Sequence, residues 1–341
     1  MFLLVGGDLS GIQKFIYRIS AGGALKLLRA RSFFLELFME DVIQEILDRI
    51  GLSRANVIYA GGGHFYILAP NTKKAKKNLD DIENEANDWL LKEFEGDLSL
   101  IMSRVMFSGE QFKEGNFAEL WKRVGEKLSI QKSQKFKKSL VENPTKVLME
   151  SNYEKNKNLC GVCGKAIPEK LLIDENKDIR GCKRCKELHA LGRELTKKKL
   201  ILRISSKEKL KNHLDLPFGD YSLYLDENEI KTDLANLCPG KVTVFIKNTL
   251  DAPHEIANEN IKIIPIQMGD YNIDNNDLDT LADGAHGAKK IAILRMDVDN
   301  LGKIFLRGLP RNEMTISRMS TLSRFLRACQ GHPLYYLLVS L

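Results

Sequence analysis

The length, composition and charge of the chain exclude several classes of protein. Its 341 residues, 43% hydrophobic and 28% charged, can bury a large core and predict a globular protein of two or three domains. No run approaches the roughly 18 apolar residues of a membrane span, and the N-terminus lacks a secretion signal, so we expect a cytoplasmic protein without membrane contact. The net charge of +7 and the lysine runs at 73–77, 132–138 and 197–199 permit an anionic partner such as nucleic acid, or form solvated helix faces.

Residues 1–110 predict a first unit of the α+β class. Apolar runs of strand type alternate with two segments of helical periodicity, and the glycines at 61–63 are typical of a hairpin turn. The predicted elements are strand 2–5, helix 25–50, strand 56–60, strand 65–68, helix 73–94 and strand 98–107. This βαββαβ order predicts a ferredoxin-like fold, with helices on one face of an antiparallel sheet.

Two further regions are predicted from periodicity alone. Residues 111–158 are lysine-rich and helical, and they predict a linker that leaves the first unit. Residues 191–288 predict a β-rich connecting region, with alternating strand patterns at 199–205, 221–225 and 241–247.

Four cysteines within residues 159–190 form two CxxC pairs, Cys160 with Cys163 and Cys182 with Cys185. In a reducing compartment such pairs indicate metal ligands and not disulfides. The residues between the pairs are enough for one hairpin, so four sulfurs can close tetrahedrally around Zn²⁺. Because four thiolates leave no open position on the ion, we predict a structural zinc module.

Part of the N-terminal sequence is repeated near the other end of the chain. Aligning LLVGGDLSGIQKFIYR with AILRMDVDNLGKIFLR places Asp8 on Asp297 and Ser10 on Asp299. In both copies a strand-type run ends on an aspartate and an amphipathic stretch follows, which predicts a duplicated unit whose second copy begins within residues 289–326. The D-x-D spacing at a predicted strand end predicts that Asp297 and Asp299 project from one face, the geometry needed to share divalent ions. An aspartate that caps a helix is the alternative for Asp8 and Asp297.

Taken together, these motifs resemble those of a known family. GGDLSGIQKFIY followed by KLLRARSFFLELF, then YAGGGHFYIL, the CxxC pairs and MDVDNLGKIF, is similar to the large, polymerase-like subunit of type III-A CRISPR effector complexes (Csm family). The resemblance implies two palm domains, related to nucleotide cyclases, that flank a zinc-binding region. It implies that the paired palms bind ATP and make cyclic oligoadenylates, and that the other subunits, a guide RNA and a target RNA are partners.

The resemblance also implies roles for individual residues. Asp297 and Asp299 match the second palm's ligands for Mg²⁺ or Mn²⁺, ions that activate a 3′-hydroxyl and neutralise the leaving pyrophosphate. The first palm would bind ATP without a catalytic metal, because its hairpin has a histidine and glycines where Gly-Gly-Asp-Asp would stand. The positions expected to face this nucleotide are Asp8, Ser10, Gly62 and Gly63.

Several features of the family are missing from the sequence. No Gly-Gly-Asp-Asp occurs, no His-Asp dipeptide of the family's nuclease domain occurs, and residues 327–341 form an atypical tail that does not resemble the family's continuation. We therefore expect a truncated, partial large subunit that makes no oligoadenylate by itself.

Two other functions fit parts of the pattern. A stand-alone nucleotidyl-cyclase-like protein would share the palm, but it would need its hairpin carboxylates within the chain. A zinc-containing RNA-binding protein would explain the cysteines and the positive charge, but not the repeated acidic strand ends. Strong, salt-dependent RNA binding without ATP affinity would favour this last function.

Overall fold

The structure is a computed structural model, and its described residues include two larger sheets and the helices that pack on them. The described residues are 1–18, 24–112, 117–142, 144, 158–174, 178–195, 198–204, 214–224, 227–234, 242–247, 261–266, 283, 286–290, 303–305, 308–310, 313 and 315–331. The predicted metal ligands Asp297 and Asp299 lie outside these residues, as do residues 332–341 of the predicted tail.

The first sheet has the predicted βαββαβ order. Its elements are β1 (Phe2–Ser10), α1 (Ile12–Tyr17), α2 (Ala24–Ile50), β2 (Val57–Gly61), β3 (His64–Pro70), α3 (Lys73–Phe94) and β4 (Ser99–Phe107). The strands lie in the order β2-β3-β1-β4, and every neighbouring pair is antiparallel. Helices α2 and α3 bury their apolar sides against one face of this sheet.

Strand β1 continues to Ser10, beyond Val5, where the predicted strand of the first unit ends, and beyond Asp8, where the repeated run ends. Gly6 and Gly7 follow Val5, and glycines usually mark turns in a sequence. Here they mark places where other residues approach the strand closely. An added Cβ would lie 2.5 Å from Val124 Cγ1 at Gly6, and 2.2 Å from the ring of Phe65 at Gly7.

Helix α4 (Phe117–Lys132) covers the opposite face of the first sheet. Its apolar residues share a buried cluster with Leu4 and Ile101, and the Trp121 ring stacks on Tyr66 with centroids 3.7 Å apart. The sequence predicts this helix and its apolar stripe. The sequence also predicts that the helix leaves the first unit, whereas in the structure α4 packs on the first sheet. The sheet has apolar residues on both faces, so a second helical layer buries surface that would otherwise face water.

Replacing Gly7 by alanine is expected to destabilise the first unit by about 1 to 3 kcal/mol, because the new methyl group would overlap a well-packed ring. That ring belongs to Phe65, which has no exposed surface. Gly125→Ala is the matched control, since no atom lies within 4 Å of its added Cβ and alanine is favoured over glycine in a helix by about 1 kcal/mol. In chemical denaturation, the free energy of unfolding should fall in Gly7→Ala and rise in Gly125→Ala. Equal losses of stability in the two variants would contradict the close approach at Gly7.

The remaining described elements form two small hairpins, a second sheet and helices. In chain order they are α5 (Lys137–Glu142), β5 (Asn158–Leu159), β6 (Ala166–Ile167), β7 (Leu171–Asp174), β8 (Ile179–Gly181), α6 (Lys183–Glu194), β9 (Leu200–Ile204), β10 (Leu214–Asp215), β11 (Asp220–Tyr224), α7 (Glu227–Leu234), β12 (Val242–Lys247), β13 (Ile261–Ile266) and α8 (Ile316–Gly331). The second sheet has the order β10-β11-β9-β12-β13, with only β12 and β13 parallel. Among the described helices, none combines the length and apolar character needed to cross a bilayer.

A buried ion pair fastens the second sheet to α2. Arg203 Nε donates to Asp41 Oδ1 at 3.0 Å, and the two side chains are 1% and 0% exposed. The same carboxylate accepts hydrogen bonds from the Tyr221 hydroxyl and the Phe218 amide, both at 2.9 Å. Glu45, one turn along α2, accepts from Arg203 Nη2 at 3.3 Å. One side of α2 is therefore an acidic docking surface for a single arginine.

Candidate functional site

Side-chain alternation along β1 brings the predicted polar residues to one face. Leu9 packs into the core beneath α2 and α3, so its neighbours Asp8 and Ser10 point to the other face. Helix α4 covers that face and ends at Lys132, which contacts Asp8. Polar residues gather where this cover ends. We call the group Asp8, Ser10, His64, Ser99 and Lys132 the polar corner.

Asp8 is the buried centre of the polar corner, with 5% of its surface exposed. Its Oδ1 lies 3.4 Å from His64 Nδ1, and its Oδ2 forms an ion pair with Lys132 Nζ. Burial lowers the pKa of His64, with the Lys132 charge acting in the same direction, whereas Asp8 opposes both. Lys132 is therefore the cation that balances Asp8 at neutral pH. Burial, followed by the charges of Asp8 and Tyr59, raises the pKa of nearby Tyr66 to about 12.

The β2–β3 hairpin borders the polar corner. Gly62 and Gly63 turn with φ of 59° and 81°, in the left-handed region that favours glycine. An added Cβ at Gly63 would lie 2.2 Å from Ile12 Cδ1, whereas one at Gly62 would meet no atom within 4 Å. The Gly63 carbonyl accepts the Leu9 amide at 2.8 Å, which fixes the turn against β1. Within the part of the chain that the structure describes, the space over Gly62 is open.

Ser99 lies directly across from Ser10 in the β1–β4 register. Residues opposite each other on antiparallel strands share a face, so both hydroxyls belong to the polar corner. Ser99 is 3% exposed, and its Oγ makes no hydrogen bond within the described part of the chain. A buried hydroxyl without a partner is costly, and a polar ligand could satisfy it.

The structure brings together the predicted Asp8, Ser10, Gly62 and Gly63, and it adds residues that the sequence prediction misses. Lys132 belongs to a lysine run that predicts only an anionic partner or a solvated face. Ser99 carries no motif, and its only signal is its position at the start of a strand. Both reach the polar corner through tertiary packing.

The four predicted cysteines form one cluster. Their sulfur atoms all lie within 4.8 Å of one another, and Cys163 Sγ is 3.9 Å from Cys182 Sγ. The Cys160 sulfur accepts amide hydrogen bonds from Val162 at 3.4 Å and from Cys182 at 3.3 Å. Cys182 also caps α6, since its sulfur accepts the Cys185 amide at 3.4 Å. The first hairpin and the helix start thus converge on one point.

The cluster fits a tetrahedral metal ion. With Zn–S bonds of about 2.3 Å, tetrahedral zinc sets its sulfurs about 3.8 Å apart, so the sulfurs, which lie within 4.8 Å of one another, need to approach by no more than about 1 Å. Hydrogen bonds with neighbouring thiols, that of Cys163 first, lower the pKa of Cys160. Interactions with the other sulfurs, that of Cys160 first, raise the pKa of Cys182 and of Cys185. Four thiolates at this distance repel one another, and a divalent cation removes that repulsion.

Helix α6 holds the cysteine cluster against the first unit. Arg184 forms an ion pair with Glu93 at 2.7 Å, and Lys165 donates to the Glu93 carbonyl at 2.9 Å. Gly192 packs so closely on α2 that an added Cβ would lie 2.0 Å from the Lys26 carbonyl oxygen. The cluster is therefore joined to the sheet that carries the polar corner.

Comparisons with known proteins identify the family. The family model described as "Csm1 subunit domain B" matches residues 1–149. A protein of Thermococcus onnurineus named "CRISPR system single-strand-specific deoxyribonuclease Cas10/Csm1 (subtype III-A)" is 36% identical over 95% of this chain and 40% of its own length. A protein of the same name from Enterococcus italicus is 32% identical over 95% of this chain and 41% of its own. This chain belongs to the Cas10/Csm1 family.

Solved Csm1 structures show the same fold. A Csm1-Csm4 subcomplex matches with a TM-score of 0.67 and 32% identity over 95% of this chain and 38% of that chain. A Csm1-Csm4 cassette in complex with one ATP matches with a TM-score of 0.68 and 32% identity, over 95% of this chain and 38% of that chain. A Csm1-Csm4 cassette in complex with cA4 matches with a TM-score of 0.66 and 31% identity, over 95% of this chain and 38% of that chain. The chain thus spans about 40% of the length of the Cas10/Csm1 relatives that it matches.

Proposed function

We propose that this chain supplies the first palm of a type III-A Csm1 subunit and holds ATP in the polar corner. The observation that carries this proposal is the environment of the Asp8 carboxylate. Its carboxylate is buried and paired with Lys132 and His64, so it is not offered to a divalent ion. The ATP-bound and cA4-bound Csm1-Csm4 cassettes support a nucleotide as the ligand.

The metal-dependent chemistry belongs to a second palm in this proposal. Asp297 and Asp299 would hold Mg²⁺ or Mn²⁺, because hard cations prefer carboxylate oxygens. When bound, such ions supply the activation of a hydroxyl nucleophile and the neutralisation of pyrophosphate needed to join ATP into cyclic oligoadenylates. The first palm would contribute the second nucleotide, oriented by the Gly62–Gly63 turn and the Ser10 hydroxyl.

The chain alone is expected to make no oligoadenylate, because its sequence contains no Gly-Gly-Asp-Asp hairpin to complete the metal site. The test is incubation of the purified chain with ATP and Mg²⁺ or Mn²⁺, followed by mass spectrometry of the nucleotides. A full-length Csm1-Csm4 preparation serves as the positive control. Linear or cyclic oligoadenylate from the chain alone would refute this part of the proposal.

The cysteine cluster is proposed to hold zinc in a structural role. Cys160, Cys163, Cys182 and Cys185 supply four thiolates, and no further ligand position stays open. The ion would join the first hairpin to α6 and so fix the module on α2 and α3. The proposal thus assigns zinc to stability and nucleotide binding to the first sheet.

Partners follow from the assembly in which Csm1 relatives are found. The structural neighbours are Csm1-Csm4 complexes, so we assign Csm4-like subunits as direct partners, together with the guide RNA and target RNA of the effector. A cytoplasmic location suits these partners. Reconstitution of this chain with a cognate Csm4 subunit, followed by size-exclusion chromatography, tests the protein contact.

ATP is expected to bind the chain with a Kd between about 1 μM and 1 mM, the usual range for enzyme substrates. Binding should survive excess EDTA, because Lys132 already occupies Asp8. Ser10→Leu should weaken ATP binding about tenfold, since it fills the polar corner and removes a hydroxyl. Isothermal titration calorimetry measures both effects, and the exposed Ser133 provides the control variant Ser133→Leu. The absence of ATP binding by the wild-type chain would refute the nucleotide site.

A further inference from the structure

Lys132 presents a half-exposed ammonium group at the rim of the polar corner. Its side chain is 42% exposed, whereas the Asp8 side chain to which it is paired is 7% exposed. The pair therefore turns its positive end to solvent and its negative end to the protein. A lysine held in this way has already lost much of its side-chain freedom, so it can bind an anion at a smaller entropic cost.

More cations lie at the same end of β1. The side chains of Lys14 and Arg18 form ion pairs with Asp97 at 2.7 and 2.9 Å. Lys135 Nζ donates to the backbone carbonyl of Gly96, the residue before Asp97, at 2.6 Å. Gly11, which follows β1, packs so tightly on this loop that an added Cβ would lie 1.9 Å from the Asp97 carbonyl oxygen. Counting only the groups named here, Lys14, Arg18, Lys135 and Lys132 outnumber the carboxylates of Asp97 and Asp8 by two charges.

We propose that Lys132 is the phosphate-binding cation of the polar corner, and that Asp8 is a positioning residue that holds its ammonium group in place. The triphosphate of a nucleotide would then lie against Lys132, with no divalent ion on Asp8. This inference rests on the proposed nucleotide site and adds the group that recognises the phosphates. At the strand end with Asp297 and Asp299, Mg²⁺ would supply the positive charge that contacts the phosphates. At the strand end with Asp8, Lys132 would supply that charge instead.

A nucleoside triphosphate suits this surface because hydroxyl groups adjoin the cations. Ser10 and Ser99 lie opposite each other on the face of the sheet to which Asp8 also points, and such hydroxyls can hydrogen-bond to phosphate or ribose oxygens. An added Cβ at Gly62, in the hairpin that borders Asp8, would meet no atom of the described residues within 4 Å. The polar corner thus combines a point charge and small polar groups next to a turn whose outer side is open.

The test compares the binding of ATP and adenosine by calorimetry in EDTA. Lys132→Met should weaken ATP binding at least about tenfold, the usual effect of losing one charged hydrogen bond, and leave adenosine binding unchanged. Lys122→Met is the matched control, since Lys122 lies on the same helix in an exposed pair with Glu126. It should leave ATP binding unchanged.

The role of Asp8 is tested by combining two substitutions. In an Asp8→Asn background, Lys132→Met should weaken ATP binding less than about threefold, because Lys132 is no longer held in place there. The double variant also has no unpaired carboxylate, so it separates binding from misfolding. An equal loss in both backgrounds would overturn the positioning role.

The two proposals fail in different ways. If the wild-type chain binds ATP and Lys132→Met binds it equally well, the inference about Lys132 is wrong and the nucleotide site stands. If the wild-type chain binds neither ATP nor adenosine, the nucleotide site itself is wrong. Equal losses of ATP and adenosine binding in Lys132→Met would show a structural role and overturn the phosphate contact.

Discussion

Replacing Cys182 by serine is expected to abolish binding of the proposed zinc ion and to cause one of the largest losses of stability among single substitutions in this chain. Serine still caps α6, because its hydroxyl can accept the Cys185 amide as the sulfur does. The substitution therefore removes a metal ligand with little change to the helix. A site saturated at about a thousand times its Kd contributes about 4 kcal/mol, which is the loss that we expect.

Metal analysis and thermal unfolding together measure this effect. The wild-type chain should carry stoichiometric zinc, and a strong chelator should lower its melting temperature to that of Cys182→Ser. Cys238, which lies outside both CxxC pairs, provides the control variant Cys238→Ser, whose zinc content should be unchanged. A wild-type chain without bound metal, or a variant as stable as the wild type, would contradict the structural role.

The order of elements in the first unit is predictable because its signals are local. Alternation, helical periodicity and the glycine turn at 61–63 each arise from neighbouring residues. The end of β1 is not predictable in this way. Gly6 and Gly7 belong to the strand because Val124 and Phe65 approach them, and these residues are distant in the sequence.

The candidate sites also differ in how far the sequence alone predicts them. The cysteine cluster follows from CxxC spacing, since the short turns bring each pair together and one hairpin joins the pairs. The repeat that aligns Asp8 with Asp297 points to the strand end, but not to what surrounds it. Lys132 and Ser99 reach Asp8 and Ser10 only through helix packing and strand register, which the sequence pattern does not contain.

The acidic side of α2 shows the same limit on a larger scale. Asp41 and Glu45 are one turn apart, and in the sequence they are typical of a solvated helix face. In the structure they receive Arg203, which is far along the chain. Burial of a charge depends on a partner supplied by another part of the fold, so it cannot be read from either segment alone.

Replacing Arg203 by methionine is therefore expected to cost about 3 to 5 kcal/mol, because it leaves a buried carboxylate without its counter-charge. Burial already raises the pKa of Asp41, and Arg203 opposes that rise. Without the arginine the folded-state pKa should rise further, so the loss of stability should be largest at neutral pH and shrink as the pH falls. Denaturation at several pH values measures this trend.

Hydrogen exchange locates the same effect. Protection should fall first in β9, β11 and β12, because these strands depend on the contact between Arg203 and α2. Arg193→Met provides the control, since Arg193 forms an exposed pair with Glu194 and such pairs contribute less than about 1 kcal/mol. If both variants lose the same stability, Arg203 does not fasten the second sheet. If Arg203→Met loses protection equally in both sheets, the two sheets unfold as one cooperative unit and the prediction of a local effect is wrong.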